Sequence, residues 1–287
     1  MQSHAPVPQA EEYAFGDATL SYLSYEGGPD AIVFLHATGF LPWMWHPIAR
    51  NIAPAFRCIA PYFCDHRIID PDKGGLSWMT LADDMSAFLH GIGVTAPFLV
   101  GHSMGATVLT IASAAFNVRP RAMILIEPIF LPEDFYRMEL RVEDHPLASK
   151  SIRRKNYWED RQEASAYLRS RPLFKNWDDE MLELYLQYGM STGDTGGLKL
   201  ACSPQREASL FMGGMKFDPW PVLSKVSCPV LILEGELSEN RSFIDLKKAA
   251  SLFPRGAYRL VEGAGHLIPM EKPGEITDII RSFFSTP

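Results

Sequence analysis

The chain has 287 residues, 47% of them hydrophobic and 21% charged, with a formal net charge of −7. That much apolar material excludes disorder as the main state, and the negative charge argues against a nucleic-acid partner. The apolar runs are strand-sized, far short of the ~20 residues of a membrane span. The first residues, Met1 to Pro6, lack the basic start and apolar stretch of a signal peptide, so a cytoplasmic protein is expected. The four cysteines, Cys58, Cys64, Cys202 and Cys228, show no CxxC spacing and read as reduced thiols, with Cys58 and Cys228 in or beside apolar runs.

Along the chain, Ala18 to Tyr25 alternates in polarity and suits an edge hairpin strand. Ala31 to Leu35 is a continuous apolar run, as are Phe98 to Val100, Met123 to Ile126 and Val230 to Leu233. Runs without polar alternation fit strands buried on both faces, as in a parallel sheet. Between them lie helical stretches: Trp45 to Ile52, Thr80 to Gly91 with a Thr80/Asp83 cap, and Ala106 to Phe116. Tyr258 to Val261 is a further strand. Pro273 opens a last helix with Ile276, Ile279, Ile280, Phe283 and Phe284 at helical spacing. From about Leu131 to Trp220 no strand-like run occurs, and Trp177-Asp178-Asp179-Glu180 starts an acidic helix. The pattern predicts an α/β class with a mostly parallel central sheet, its core in residues 1–128 and 221–287, and a helical insertion over 129–220.

Gly101-His102-Ser103-Met104-Gly105 follows a buried strand and opens a helix. A turn this tight strains its central residue, and glycines two before and two after admit neighbouring backbone. Ser103 is therefore the candidate nucleophile. A serine hydroxyl needs a base. His266, after Gly263-Ala264-Gly265 and directly beyond the last strand, is the histidine best placed to supply one.

These motifs resemble the α/β-hydrolase superfamily. His36-Ala37-Thr38-Gly39-Phe40 is similar to its oxyanion loop, Ser103 to its nucleophile elbow, and Gly263 to His266 to its histidine loop. The resemblance covers nearly the whole chain and makes 129–220 the variable cap. It implies that the oxyanion hole is formed by the backbone N–H of Met104 and of Thr38, with Ala37 as the next choice. His36 would hold the loop. The sequence departs from the family at the acid: where members carry Gly-Glu-x-Asp, this chain has Gly235-Glu236-Leu237-Ser238, so the acid position falls on Ser238. Glu127, at the end of the strand Met123 to Ile126, is the leading replacement; Glu239, Glu236 or no acid at all are the alternatives. A second departure is Asp65-His66-Arg67, in a loop expected to border the pocket.

Trp43 and His102 are the expected substrate-pocket residues, and Trp45 a core residue. The Arg153-Arg154-Lys155 cluster is either an anion subsite or a cap face paired with Glu159, Asp160 and Glu163. The sequence lacks GxGxxG, a Walker motif and metal-ligand spacing, so no metal, nucleotide or flavin cofactor is implied. The expected activity is serine hydrolysis of a small to medium, largely apolar carboxylic ester, with a small molecule as the partner. Carbon–carbon, thioester or lactone cleavage, acyl transfer and a non-catalytic receptor are the alternatives. Oligomeric state has no sequence signal.

Overall fold

The apolar runs become the centre of an eight-stranded sheet in the computed structural model, which describes residues 7–63, 66–193 and 196–285. The strands in chain order are β1 (Gln9–Phe15), β2 (Ala18–Tyr25), β3 (Ala31–Leu35), β4 (Arg57–Pro61), β5 (Phe98–His102) and β6 (Ala122–Ile126). Then come β7 (Met190–Thr192) and β8 (Leu198–Leu200), which form a small sheet of their own, and β9 (Val230–Gly235) and β10 (Gly256–Val261). Across the large sheet the order is β1-β2-β4-β3-β5-β6-β9-β10. From β4 to β10 in this order the strands run parallel, while β2 is antiparallel to β4 and β1 to β2.

The helices are α1 (His46–Ile52), α2 (Trp78–Gly91), α3 (Met104–Ala115), α4 (Ala148–Ile152), α5 (Arg161–Arg169) and α6 (Asp179–Tyr188). They continue with α7 (Pro204–Gly213), α8 (Leu246–Leu252), α9 (Ile268–Glu271) and α10 (Pro273–Phe284). Strand β3 shows why the runs are unbroken. Ile32 and Phe34 pack with Ile48 of α1 and Ile280 of α10 on one face. Val33 and Leu35 pack with Met85 of α2 and Val108 of α3 on the other. Both faces are dry, so neither register position tolerates a polar side chain.

One strand is added and two local expectations are corrected. Strand β1, absent from the expected elements, pairs with β2 from Gln9↔Ser24 to Phe15↔Ala18. Helix α2 starts at Trp78, not Thr80, because the Ser77 hydroxyl accepts from the Met79 N–H and the Trp78 indole N–H reaches the Leu210 carbonyl at 2.8 Å. The insertion between β6 and β9 is not wholly helical, since it contains the β7–β8 hairpin.

Parallel strands end on one side, so the loops after β3, β5, β6 and β10 emerge together. The insertion covers part of that edge: Trp158, Phe174, Trp177 and Tyr185 pack with Phe40 and Met44 after β3 and with Leu267 and Met270 after β10. Cys58, Cys202 and Cys228 are buried and unpaired, and burial pushes the Cys58 thiol up to about 12 and that of Cys228 to about 11. Cys64 and Asp65 lie outside the described residues. Among the described residues no helix is long and apolar enough to cross a membrane.

Candidate active site

Ser103 follows β5 and precedes α3 with φ 54° and ψ −118°, a conformation that residues other than glycine rarely adopt. The flanking glycines make the turn possible. A Cβ on Gly101 would lie 2.5 Å from the Ala106 Cα, and one on Gly105 2.3 Å from the Leu35 carbonyl oxygen. The Ser103 N–H is held by the Ile126 carbonyl at 2.9 Å. Its Oγ stands 3.1 Å from His266 Nε2.

Across the imidazole, His266 Nδ1 lies 2.9 Å from Glu127 Oε2. Glu127 is fully buried directly after β6 and also has a positive φ, 50°. Its carboxylate takes the Gly235 N–H on Oε1 and the Ser238 hydroxyl on Oε2, both at 2.7 Å. Ser238, the position on which the resemblance puts the acid, here donates to the carboxylate of Glu127. Glu239 and Glu236 are exposed, and Glu236 instead accepts the Gly263 N–H at 2.8 Å. With Glu127 ionised, the Nδ1 proton is directed at it, which leaves Nε2 free to accept from the Ser103 hydroxyl. The side-chain Nδ2 of Asn240 also lies 3.0 Å from Nδ1. An amide nitrogen only donates, so the Nδ1 proton is directed to Glu127 and Asn240 is a polar neighbour of the same ring atom.

His102 is placed differently from the pocket position expected for it. It is fully buried, and its Nε2 donates to the His266 carbonyl at 2.9 Å, anchoring the histidine loop. Burial holds its pKa well below the usual histidine value, so it is neutral. His36 anchors the other loop: Nδ1 donates to the Ala37 carbonyl at 2.8 Å, and Nε2 accepts the Phe63 N–H at 2.9 Å. Burial lowers its pKa to about 4. The backbone N–H groups of Thr38 and Met104 make no hydrogen bond among the described residues. Trp43 stacks on Tyr188 of α6, centroids 3.6 Å apart and planes at 3°, and donates to the Tyr62 hydroxyl at 2.9 Å. It joins the core to the insertion. Trp45 packs on Phe34 in the core.

The basic cluster divides. Lys155 pairs with Glu163 on the exposed face, while Arg154 turns inward to Glu207 of α7 at 2.6 Å. His66 and Arg67 both bind Asp84 of α2, which ties the loop after β4 to the core. Among the described residues no cluster of His, Cys, Asp and Glu is arranged to hold a metal ion. Sequence reasoning missed Asn240 and Glu207: each lies in an unpatterned loop or first helical turn, and neither belongs to a motif.

Residues 32–279 match the model of the alpha/beta hydrolase family. The chain is similar to 2-(acetamidomethylene)succinate hydrolase of Mesorhizobium japonicum, 27% identical over 264 residues that cover 91% of this chain and 90% of that protein. It is also similar to the abhydrolase domain-containing protein ACTT2 of Alternaria alternata, 26% identical over 219 residues, 64% of this chain and 81% of that one. The fold matches the crystal structure of E-2-(acetamidomethylene)succinate hydrolase with a TM-score of 0.82 at 22% identity, covering 98% of this chain and 100% of the other. A thioesterase domain from the curacin biosynthetic pathway matches with a TM-score of 0.77 at 16% identity, covering 96% of this chain and 99% of the other.

Proposed function

The chain belongs to the alpha/beta hydrolase family, and on that premise we propose that it cleaves a carbonyl substrate through an acyl-enzyme on Ser103. The observation that carries this reading is His266 standing between Ser103 at 3.1 Å and Glu127 at 2.9 Å. His266 Nε2 takes the hydroxyl proton as Oγ attacks the carbonyl carbon, and Glu127 stabilises the imidazolium that forms. The N–H groups of Thr38 and Met104 receive the developing oxyanion; losing one such donor costs about 3 kcal/mol of transition-state stabilisation. The imidazolium then protonates the leaving group. A water molecule, deprotonated by the same nitrogen, cleaves the acyl-enzyme and restores Ser103.

The substrate is read as a small to medium carboxylic ester, with residues 129–220 acting as the cap that shapes its site. The aromatic side chains that this segment sets over Phe40 support that choice. A second reading keeps the residues and changes the bond to an amide, in line with the acetamido compound named for the Mesorhizobium relative. The test is turnover of p-nitrophenyl esters from acetate to long-chain acyl groups by the protein and its Ser103→Ala variant. Turnover should vanish in the variant, and a fluorophosphonate should label only the unaltered protein. Equal activity in both proteins would overturn the assignment. Amide turnover without ester turnover, also lost in Ser103→Ala, would select the second reading.

A further inference from the structure

The ion pair between Arg154 and Glu207 is not used by the steps above, yet it lies beside the oxyanion loop. Arg154 Nη1 donates to Glu207 Oε2, with the side chains 25% and 11% accessible. The other carboxylate oxygen of Glu207 rests on the loop itself: a Cβ on Gly39 would come within 2.3 Å of Oε1. Tyr185 packs edge-on against Phe40, centroids 5.8 Å apart, and the Arg154 charge acts on its phenol. Burial pushes the Tyr185 phenol up to about 12, so it stays neutral. Glu207 and Tyr185 of the insertion thus reach Gly39 and Phe40, immediately after Thr38, and Arg154 joins them through Glu207.

Stability is a weak reason for such a pair. Desolvation of two charges offsets most of their attraction, and apolar residues of similar volume would pack this interface as well. Arginine, by contrast, suits recognition of a planar carboxylate, because its five donors form a rigid fork. The bond to Glu207 engages one Nη and leaves the rest of that fork for a further anion, and Arg154 is the more accessible partner of the pair. Its neighbour Arg153 is exposed and makes no ion pair among the described residues, so the inward charge belongs to Arg154 alone.

Resting on the acyl-enzyme reading above, we propose that Arg154 binds a carboxylate carried by the substrate close to its scissile carbonyl. Glu207 is the internal anion that orients the guanidinium. The substrate class is then the half-esters or half-amides of small dicarboxylic acids. Glu207 also sets a limit, because its own charge repels a second carboxylate; neutralising it should favour the acidic substrate.

The experiment compares kcat/KM for p-nitrophenyl hydrogen succinate with that for the neutral butyrate ester, and measures calorimetric binding of succinate. The unaltered protein should prefer the succinate half-ester and bind succinate. In Arg154→Gln the anionic-to-neutral ratio should fall by about tenfold or more, the size expected for a hydrogen bond to a charged group. In Glu207→Gln it should rise. The double variant Arg154→Gln/Glu207→Gln carries no buried charge, which guards against misfolding of the single variants, and should lose both the preference and succinate binding. A ratio and a succinate affinity that are the same in the double variant and the unaltered protein would overturn the proposal. If neutral esters turn over and label Ser103 without any acidic preference or succinate binding, only the Arg154 proposal falls. If succinate binds through Arg154 but no ester or amide turns over and Ser103 stays unlabelled, the acyl-enzyme reading falls and the anion site stands.

Discussion

Ser103 and Glu127 share an uncommon backbone state, with φ of 54° and 50°. Each residue held this way costs on the order of 1–3 kcal/mol and persists only where its surroundings fix it. Here the sheet does so: the Ser103 N–H is taken by the Ile126 carbonyl at 2.9 Å, and the Glu127 N–H by the Leu233 carbonyl at 2.8 Å. The strain therefore aims two side chains at His266 from adjacent strand ends. Glu127→Gln keeps the shape and removes the charge. Its amide can also donate to Nδ1, which turns the histidine to the wrong tautomer. A loss of about 10⁴-fold in kcat is expected, as for an Asp-to-Asn change in a comparable triad. Asn240→Ala removes only a polar neighbour of Nδ1 and should cost far less. Kinetics of the two variants on one ester check the order; an Asn240→Ala loss equal to that of Glu127→Gln would show that the amide, not the carboxylate, sets the tautomer.

At the scale of elements, the junction between α6 and the core is built from two contacts. Trp43 stacks on Tyr188, and Arg50 of α1 makes a two-pronged ion pair with Glu180 in the first turn of α6. The half-buried ion pair is worth about 1 kcal/mol at most, and the ring pair should show a coupling of about 1 kcal/mol beyond its buried area. A double-mutant cycle on Trp43→Leu and Tyr188→Leu, read by urea denaturation, measures it. Additive effects would mean that Trp43 acts alone, as a pocket wall would. Trp43 also marks a limit of sequence reading, since its stacking partner lies in a distant element with no pattern to announce it. Strands β3, β5, β6 and β9 were legible because both of their faces are covered, so burial writes an unbroken run. Strand β1 was not: its residues are largely exposed, and pairing with β2 defines it rather than a core. Ser103, His266 and Glu127 were legible for a related reason, because each follows a strand end that the sequence displays. His102 misled, because its place in the elbow says nothing of the side on which its ring is buried.

For the whole molecule, the buried histidines set a pH dependence. His36 and His102 are neutral, and each donates its one ring proton to a carbonyl in a loop of the site. Burial places the His36 pKa at about 4, against 6.5 for the free side chain. Between those values the unfolded chain binds a proton that the folded chain refuses, so stability rises with pH there. It is fully present above pH 6.5 and falls as pH drops, by about 3 kcal/mol at pH 4 from His36 alone. His102 is shifted in the same direction and adds to the loss. Asp84 acts in a different window. Burial raises its pKa, but bonds from His66 and Arg67 more than offset this, so its contribution is lost only below the ordinary carboxylate range. Urea midpoints measured from pH 7.5 to 4 should therefore decline well before the carboxylates titrate, and His36→Asn, which removes one titrating ring, should flatten the decline. A midpoint that stays level down to pH 4.5 would mean that neither ring is excluded from solvent. Because the same two rings hold the loops after β3 and β10, the turnover proposed above should decline over the same interval.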